Sequence, residues 1–292
     1  MNFKHGSELL ALCQTHQVPI SEVMISRECQ LSSSLREDIL LKMEKAWNIM
    51  QESAYTPVKS PKRSIGGLIG GEAQLLDAHR AKGKSVCGSL LSRAVTYSVA
   101  VLEVNASMGL IVAAPTAGSS GVVPGVLLAL KEEYGLSDEQ IIRGLFNAGA
   151  LGYLAMRNAT VAGAVGGCQA EVGVASAMAA SAVVELMGGS PQQSLDAAST
   201  VLMNMLGLIC DPVGGLVECP CQGRNASGAA NALIAAEIAL SGIKQHIPFD
   251  EMLGAMYSVG RKLPSEFRET ALGGCAVTPS GCSMCGGCDS PG

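Results

Sequence analysis

Apolar residues recur at helical intervals along most of the chain, while alternating runs of β-branched residues between turns are nearly absent. That pattern predicts an all-α fold. Residues 7–13 have helical spacing, Pro19 interrupts it, and 21–28 opens a second helix. From Ser32 onward, Leu35, Ile39, Leu40, Met43 and Trp47 recur among Glu and Lys as one amphipathic helix. Residues 1–60 are thus expected to form an N-terminal helical arm packed on a main domain at 61–272. Residues 55–71, with Pro57, Pro61 and four glycines, read as a loop. Further helices are predicted over 72–82, 89–108, 139–156, 172–186, 192–208 and 227–240, and a last amphipathic one starts at Pro248-Phe249-Asp250. The tail, 273–292, changes to Gly, Pro, Ser and Cys and is expected to be flexible unless something binds it.

Composition sharpens this picture. Hydrophobic residues make up 48% of the 292 positions but aromatics only 3%, so Ala, Val, Leu, Ile and Met must fill the core. The 35 glycines then imply closely spaced helix backbones. Mean hydropathy is positive, and residues 108–130 could span a bilayer by length. Pro115, Thr116, Ser119, Ser120 and Pro124 break that stretch, with Glu103 and Asn105 just before it, so it reads as a buried, site-lining segment and no membrane is expected. The net charge of −5 and scattered Lys and Arg argue against a nucleic-acid partner. Eleven cysteines without an apolar leader at Met1 to Glu8 point to a reducing, cytoplasmic setting with free or metal-bound thiols.

Several segments carry candidate chemistry. Ala114-Pro115-Thr116-Ala117-Gly118-Ser119-Ser120-Gly121 leads into a predicted helix and can present backbone N–H groups to an anion. No Lys follows its last glycine, so it is not a Walker loop. Glu103 and Asn105 either support a site or mark a helix end meeting solvent, and His79 reads as a solvated helix residue. Cys168, Cys210 and Cys221 each lie where a helix breaks, so their thiols can converge as metal ligands; the competing reading is three small buried apolar side chains. In the tail, Cys282, Cys285 and Cys288 have a local metal-binding spacing, with Cys275 available as a further ligand. One alternative has the tail binding its own metal; the other has a tail thiolate completing a cluster held by Cys168, Cys210 and Cys221. Three thiolates on a four-iron cluster leave one iron open as a Lewis acid, and dehydration of a hydroxy acid is the reaction class that follows.

Four long segments carry a family resemblance: Glu103-Val104-Asn105-Ala106-Ser107-Met108-Gly109, the 114–124 loop ending in Val122-Val123-Pro124, Gly166-Gly167-Cys168-Gln169-Ala170-Glu171-Val172-Gly173, and the stretch from Cys210-Asp211-Pro212 to Glu218. Together they resemble the α subunit of bacterial iron–sulfur L-serine dehydratase. The resemblance implies a 4Fe–4S enzyme that converts L-serine to pyruvate and ammonia, with Cys168, Cys210 and Cys221 as cluster ligands. Cys219 stands where this family usually has an apolar residue and is read as a neighbour of the site. A separate β subunit is the implied partner, and its histidines would contribute to the active site; the four histidines here, His5, His16, His79 and His246, lie outside the motifs. Some single-chain members place a terminal cysteine on the open iron, which makes Cys282, Cys285 or Cys288 candidates for a fourth ligand. Arg157, Arg224 and Arg268 are candidates for the substrate carboxylate, assisted by Asn158, Ser119, Ser120 and the loop amides, and no general base is assigned within this chain. A pyridoxal-phosphate enzyme would need alternating strands and helices and a Schiff-base lysine, and neither is visible. An iron–sulfur redox sensor or electron carrier is the non-enzymatic alternative.

Overall fold

The computed structural model describes residues 1–284. Thirteen α-helices follow one another, and no strand occurs among the described residues: α1 Gly6–His16, α2 Ile20–Ser32, α3 Arg36–Lys59, α4 Glu72–Ala81, α5 Gly88–Ala106, α6 Val122–Tyr134, α7 Asp138–Asn158, α8 Gly163–Gly166, α9 Val174–Leu186, α10 Pro191–Asn204, α11 Cys221–Leu240, α12 Phe249–Lys262 and α13 Pro279–Met284. The fold is therefore all-α, as the hydrophobic pattern predicts.

The centre is α9, whose residues 174–184 are all Ala, Val, Ser or Met and are all buried, with Glu185 following at its end. A helix without a polar face has to be enclosed, and α6, α7, α10 and α11 pack around it. Small residues set how close these helices come. A Cβ on Gly125 of α6 would overlap Ser98 of α5, one on Gly144 would lie 2.8 Å from Leu186, and one on Gly228 of α11 would lie 2.6 Å from Ser176 of α9. The shortage of aromatic residues thus corresponds to direct backbone approach.

Local signals fix several ends. Ser137 and Ser190 form capping boxes with Gln140 and Gln193 at the starts of α7 and α10, satisfying N–H groups that a helix leaves unpaired. Gly135 closes α6 in the left-handed conformation. Several boundaries differ from the sequence expectation, the end of α3 and the start of α11 among them. The third helix does not stop near Tyr55 but continues through Pro57 to Lys59, because Ala54 and Pro57 are buried and Tyr55 donates to Glu132 at 2.7 Å. The eleventh begins at Cys221 instead of 227, with Pro220 as its N-cap.

The 108–130 stretch is not one helix. Irregular backbone and a 3₁₀ turn at Ala117–Ser119 precede α6, and among the described residues no helix is long and apolar enough to cross a membrane. The described part of the tail contains a 3₁₀ turn, Gly274–Val277, and α13, both packed on the Val213–Gly215 turn. Cys285 and Cys288 lie outside the described residues.

Candidate functional site

Three interruptions of the helical architecture carry the cysteines picked out by sequence. Cys168 follows α8 and precedes a π-helical turn, Gln169–Gly173, a wide turn that recurs at functional positions. Cys210 lies in an extended stretch paired in parallel with Arg268; its N–H donates to the Phe267 carbonyl and its carbonyl accepts from the Glu269 N–H, both at 2.8 Å. Cys221 is the first residue of α11, directly after the cis Cys219–Pro220 bond.

Buried polar side chains latch these pieces together. Gln169 donates to the carbonyls of Gly166 (2.9 Å) and of Met256 in α12 (3.0 Å), and its Oε1 accepts from the Gly207 N–H at 2.8 Å. One amide therefore joins the Cys168 turn to α12 and to the stretch that leads to Cys210. Asn225, fully buried in the first turns of α11, donates to Gly118 O (2.8 Å) and Cys221 O (3.0 Å) and accepts from Gly121 N–H (3.1 Å). This ties the 114–121 loop to the Cys221 turn. Glu218, 2% exposed, accepts from Ser64 Oγ (2.6 Å) and from the amides of Gly66 (2.7 Å) and Leu68 (2.9 Å), so the glycine-rich 64–70 loop is clasped to the segment just before Cys219.

Between the loop and Cys210 sits Glu171. Its Oε1 accepts from Thr116 Oγ1 at 2.9 Å and its Oε2 faces Cys210 Sγ at 3.7 Å. Burial pushes this carboxyl above its ordinary pKa, and the nearby Glu269 charge adds to the effect. Burial also raises all three thiols, Cys168 to about 11 and Cys221 to about 12, and Cys210 is pushed up as well. The negative charges of Glu171, Cys168, Glu269 and Cys221 add to the effect at Cys210, and those of Cys168 and Glu171 at Cys221, so the thiols sense one another. The opposing charge is the Arg224 guanidinium, which favours the thiolates of Cys168 and Cys221. All three cysteines are free thiols. Among the described residues no three His, Cys, Asp or Glu side chains are arranged to hold a single metal ion.

The other sequence candidates fall in different places. Arg224 donates to Ile209 O at 2.9 Å and pairs with Asp211 Oδ1 at 2.6 Å, a charge contact without hydrogen-bond alignment. Arg268 is brought beside Cys210 by the backbone bridge, and its buried Nε has no hydrogen-bond partner. Ser119 and Ser120 are buried, their hydroxyls engaged with Thr116 and with Ala117 O. Arg157 is exposed at the end of α7, and Asn158 donates to Lys4 O at 2.7 Å, fastening the N-terminal segment. In the tail, the Cys275 N–H donates to Asp211 Oδ2 at 2.6 Å, and a Cβ on Gly274, at φ +59°, would overlap that carboxylate. The described tail thus seats on the residue next to Cys210, with Cys282 partly buried in α13. Sequence reasoning named the thiols but gave no role to Thr116, Gln169, Glu171, Asp211, Glu218 or Asn225. Glu171 had one usable signal, a lone acid in a Gly- and Ala-flanked segment.

Residues 15–276 match the family described as Serine dehydratase alpha chain. The chain is 50% identical over 279 residues to a "Probable L-serine dehydratase, alpha chain" of Bacillus subtilis, covering 96% of this chain and 93% of that protein. It is 42% identical over 274 residues to the "L-serine dehydratase, alpha chain" of Peptoniphilus asaccharolyticus, with 94% of each covered. Against an "L-serine dehydratase" of Helicobacter pylori it is 38% identical over 286 residues; 95% of this chain aligns, but only 62% of that longer protein. Because the family match, residues 15–276, takes in the loop, the π turn, both cysteine segments and the start of the tail, this chain belongs to the serine dehydratase alpha chain family.

Proposed function

We propose that this chain is the catalytic α chain of an L-serine dehydratase, deaminating L-serine to pyruvate and ammonia, and that Cys168, Cys210 and Cys221 hold a 4Fe–4S cluster. The observation that carries the reading is the gathering of three free, buried or half-buried thiols from three separate helix breaks, close enough for the charge of one to act on another. The donor set fits such a cluster. Three thiolates beside Glu171 and Glu269 would repel one another, Arg224 offsets part of that charge, and a cationic metal core would offset more of it. When bound, the cluster would supply an open iron as Lewis acid for the substrate hydroxyl and carboxylate.

The chain's own residues then have distinct tasks. Arg268, with an unpartnered buried Nε beside Cys210, is the best placed of the three arginines to bind the carboxylate of serine. Arg224 is committed to Ile209 O and Asp211 and serves the thiolates. The 114–121 loop, fixed by Asn225, offers backbone N–H groups, while its serine hydroxyls maintain the loop. The base that removes the Cα proton comes from a separate β chain. Support for that partner is that the Bacillus subtilis and Peptoniphilus asaccharolyticus relatives are themselves described as alpha chains. Cys282 would be a candidate fourth ligand, with Cys285 and Cys288, which lie outside the described residues.

The test is anaerobic preparation of this chain with a β chain, followed by iron and sulfide quantification and pyruvate assay. Cys168→Ala, Cys210→Ala and Cys221→Ala are each expected to lose the cluster and at least 100-fold of the activity. Full cluster occupancy in wild type without pyruvate from L-serine would turn the reading to an iron–sulfur redox protein.

A further inference from the structure

Among the described residues, Glu171 is the acid that touches both the 114–121 loop and a cysteine of the proposed cluster, through the Thr116 hydroxyl at 2.9 Å and Cys210 Sγ at 3.7 Å. Its seat is built by two glycines. A Cβ at Gly163 would stand 2.5 Å from Oε2 and 3.3 Å from Cys210 Sγ, and a Cβ at Gly118 would stand 3.3 Å from Oε1. The loop does not depend on this carboxyl to stay folded, since Asn225 already holds it at Gly118 and Gly121 and the Thr116–Ser119 box closes its turn. What Glu171 adds is the bridge from the loop to Cys210. A buried carboxyl is a costly group to use for simple packing, so its placement between these two partners calls for a role in their relative position.

We propose that Glu171 is a positioning residue that fixes the 114–121 loop at a set distance from Cys210, so that loop amides and cluster edge meet the same substrate. The inference rests on the dehydratase reading above. Thr116 is the loop end of the same link, and removal of either partner should produce the same defect, because groups joined in one bond show non-additive effects.

The experiment uses the α chain with its β chain, prepared anaerobically, as wild type, Thr116→Val, Glu171→Gln, Glu171→Ala and the Thr116→Val/Glu171→Ala double variant. Iron and sulfide content, the visible and electron paramagnetic resonance spectra, and kcat and KM for L-serine are measured on each. Thr116→Val and Glu171→Ala are expected to keep the cluster, shift its spectrum and raise KM at least tenfold with a smaller change in kcat. The double variant should be no worse than the poorer single one, and Glu171→Gln, which keeps an acceptor for the Thr116 hydroxyl and a polar atom facing Cys210 Sγ, should recover most of the loss. Additive effects in the double variant, an unchanged KM in Thr116→Val, or a Gln variant as impaired as Ala would overturn the proposal. Should Glu171→Ala fail to fold, Thr116→Val and Glu171→Gln carry the test alone. A wild type that lacks iron or makes no pyruvate would instead refute the dehydratase reading, a result independent of the variants.

Discussion

Glu103 shows how a single buried charge couples to pH. Sequence reasoning left it between a site-supporting acid and a helix end in solvent; the side chain is 1% exposed, accepts the Ala73 N–H at 2.9 Å at the start of α4, and leaves Oε2 without a hydrogen-bond partner. Burial lifts its pKa from the ordinary 4.5 to about 7, and the neighbouring Glu72 opposes its charge further. For Glu72 burial also acts against the charge, but the Gly70 amide and Gln222 help to outweigh it and its pKa ends below the ordinary value. Between pH 4.5 and about 7 the folded chain therefore holds a proton on Glu103 that the unfolded chain has lost. The stability tied to this group is fully present below 4.5 and is lost as pH rises through about 7. Glu103→Gln keeps the acceptor for Ala73 and removes the titration. At about 1.4 kcal/mol per unit of displacement, the variant should gain stability relative to wild type on going from pH 5 to pH 8. Thermal midpoints of both proteins across that range read the difference; parallel curves would place the proton elsewhere.

Helix packing here rests on backbone approach, and two glycines separate that effect from helix propensity. Gly125 of α6 has no room for a Cβ, which would overlap Ser98 Oγ and lie 2.9 Å from Ala94 O on α5. Gly149 of α7 has only Met24 Cε, at 4.0 Å. Gly125→Ala should cost about 1–3 kcal/mol as an overpacked contact, whereas Gly149→Ala should stabilise by up to about 1 kcal/mol, the helix-propensity gain of Ala over Gly. Urea unfolding of the two variants checks the opposite signs. The same contrast explains what could be read from the sequence. The long helices and the close packing followed from periodicity and from the many Gly and Ala residues, whereas the short α8 and α13 carried no such signal. The end of α3 and the start of α11 did not, because tertiary contacts at Tyr55, Pro57 and Asn225 override the local proline and glycine signals. The cysteine trio was visible because thiols at helix breaks stand out. Gln169 and Asn225 were not, since their partners at Met256 and Gly118 lie 87 and 107 residues away and a lone amide in a small-residue run carries no pattern.

At the scale of the whole molecule, the first three helices and the site share one body. Phe3, Leu9, Ile20, Ile25 and Trp47 belong to the same hydrophobic core as α9. Phe3 meets Tyr153 of α7 edge to face at 5.5 Å, Arg27 stacks over that ring at 3.8 Å, and Trp47 Nε1 donates to Asp138 at the start of α7 at 2.6 Å. Most relevant to function, the amides of Gly6 and Ser7 donate to the Asp250 carboxylate in the first turn of α12. Helix α12 in turn presents the Met256 carbonyl to Gln169, the residue after Cys168. A chain of contacts therefore runs from the N-terminus to the thiols without passing through any cysteine or arginine of the site. Burying each large apolar side chain of α1 contributes about 1.5–3 kcal/mol, so loss of the helix should be felt along that path. A chain lacking residues 1–17 is expected to melt several degrees lower and, after anaerobic reconstitution with the proposed β chain and gel filtration, to retain less than half of the wild-type iron, although every proposed ligand is intact. Asp250→Ala should reproduce the iron loss more mildly, because it removes the same tie while leaving α1 in place. Full iron retention together with an unchanged melting temperature in the truncated chain would show that the N-terminal helices are an appendage and that α12 holds the Cys168 turn unaided.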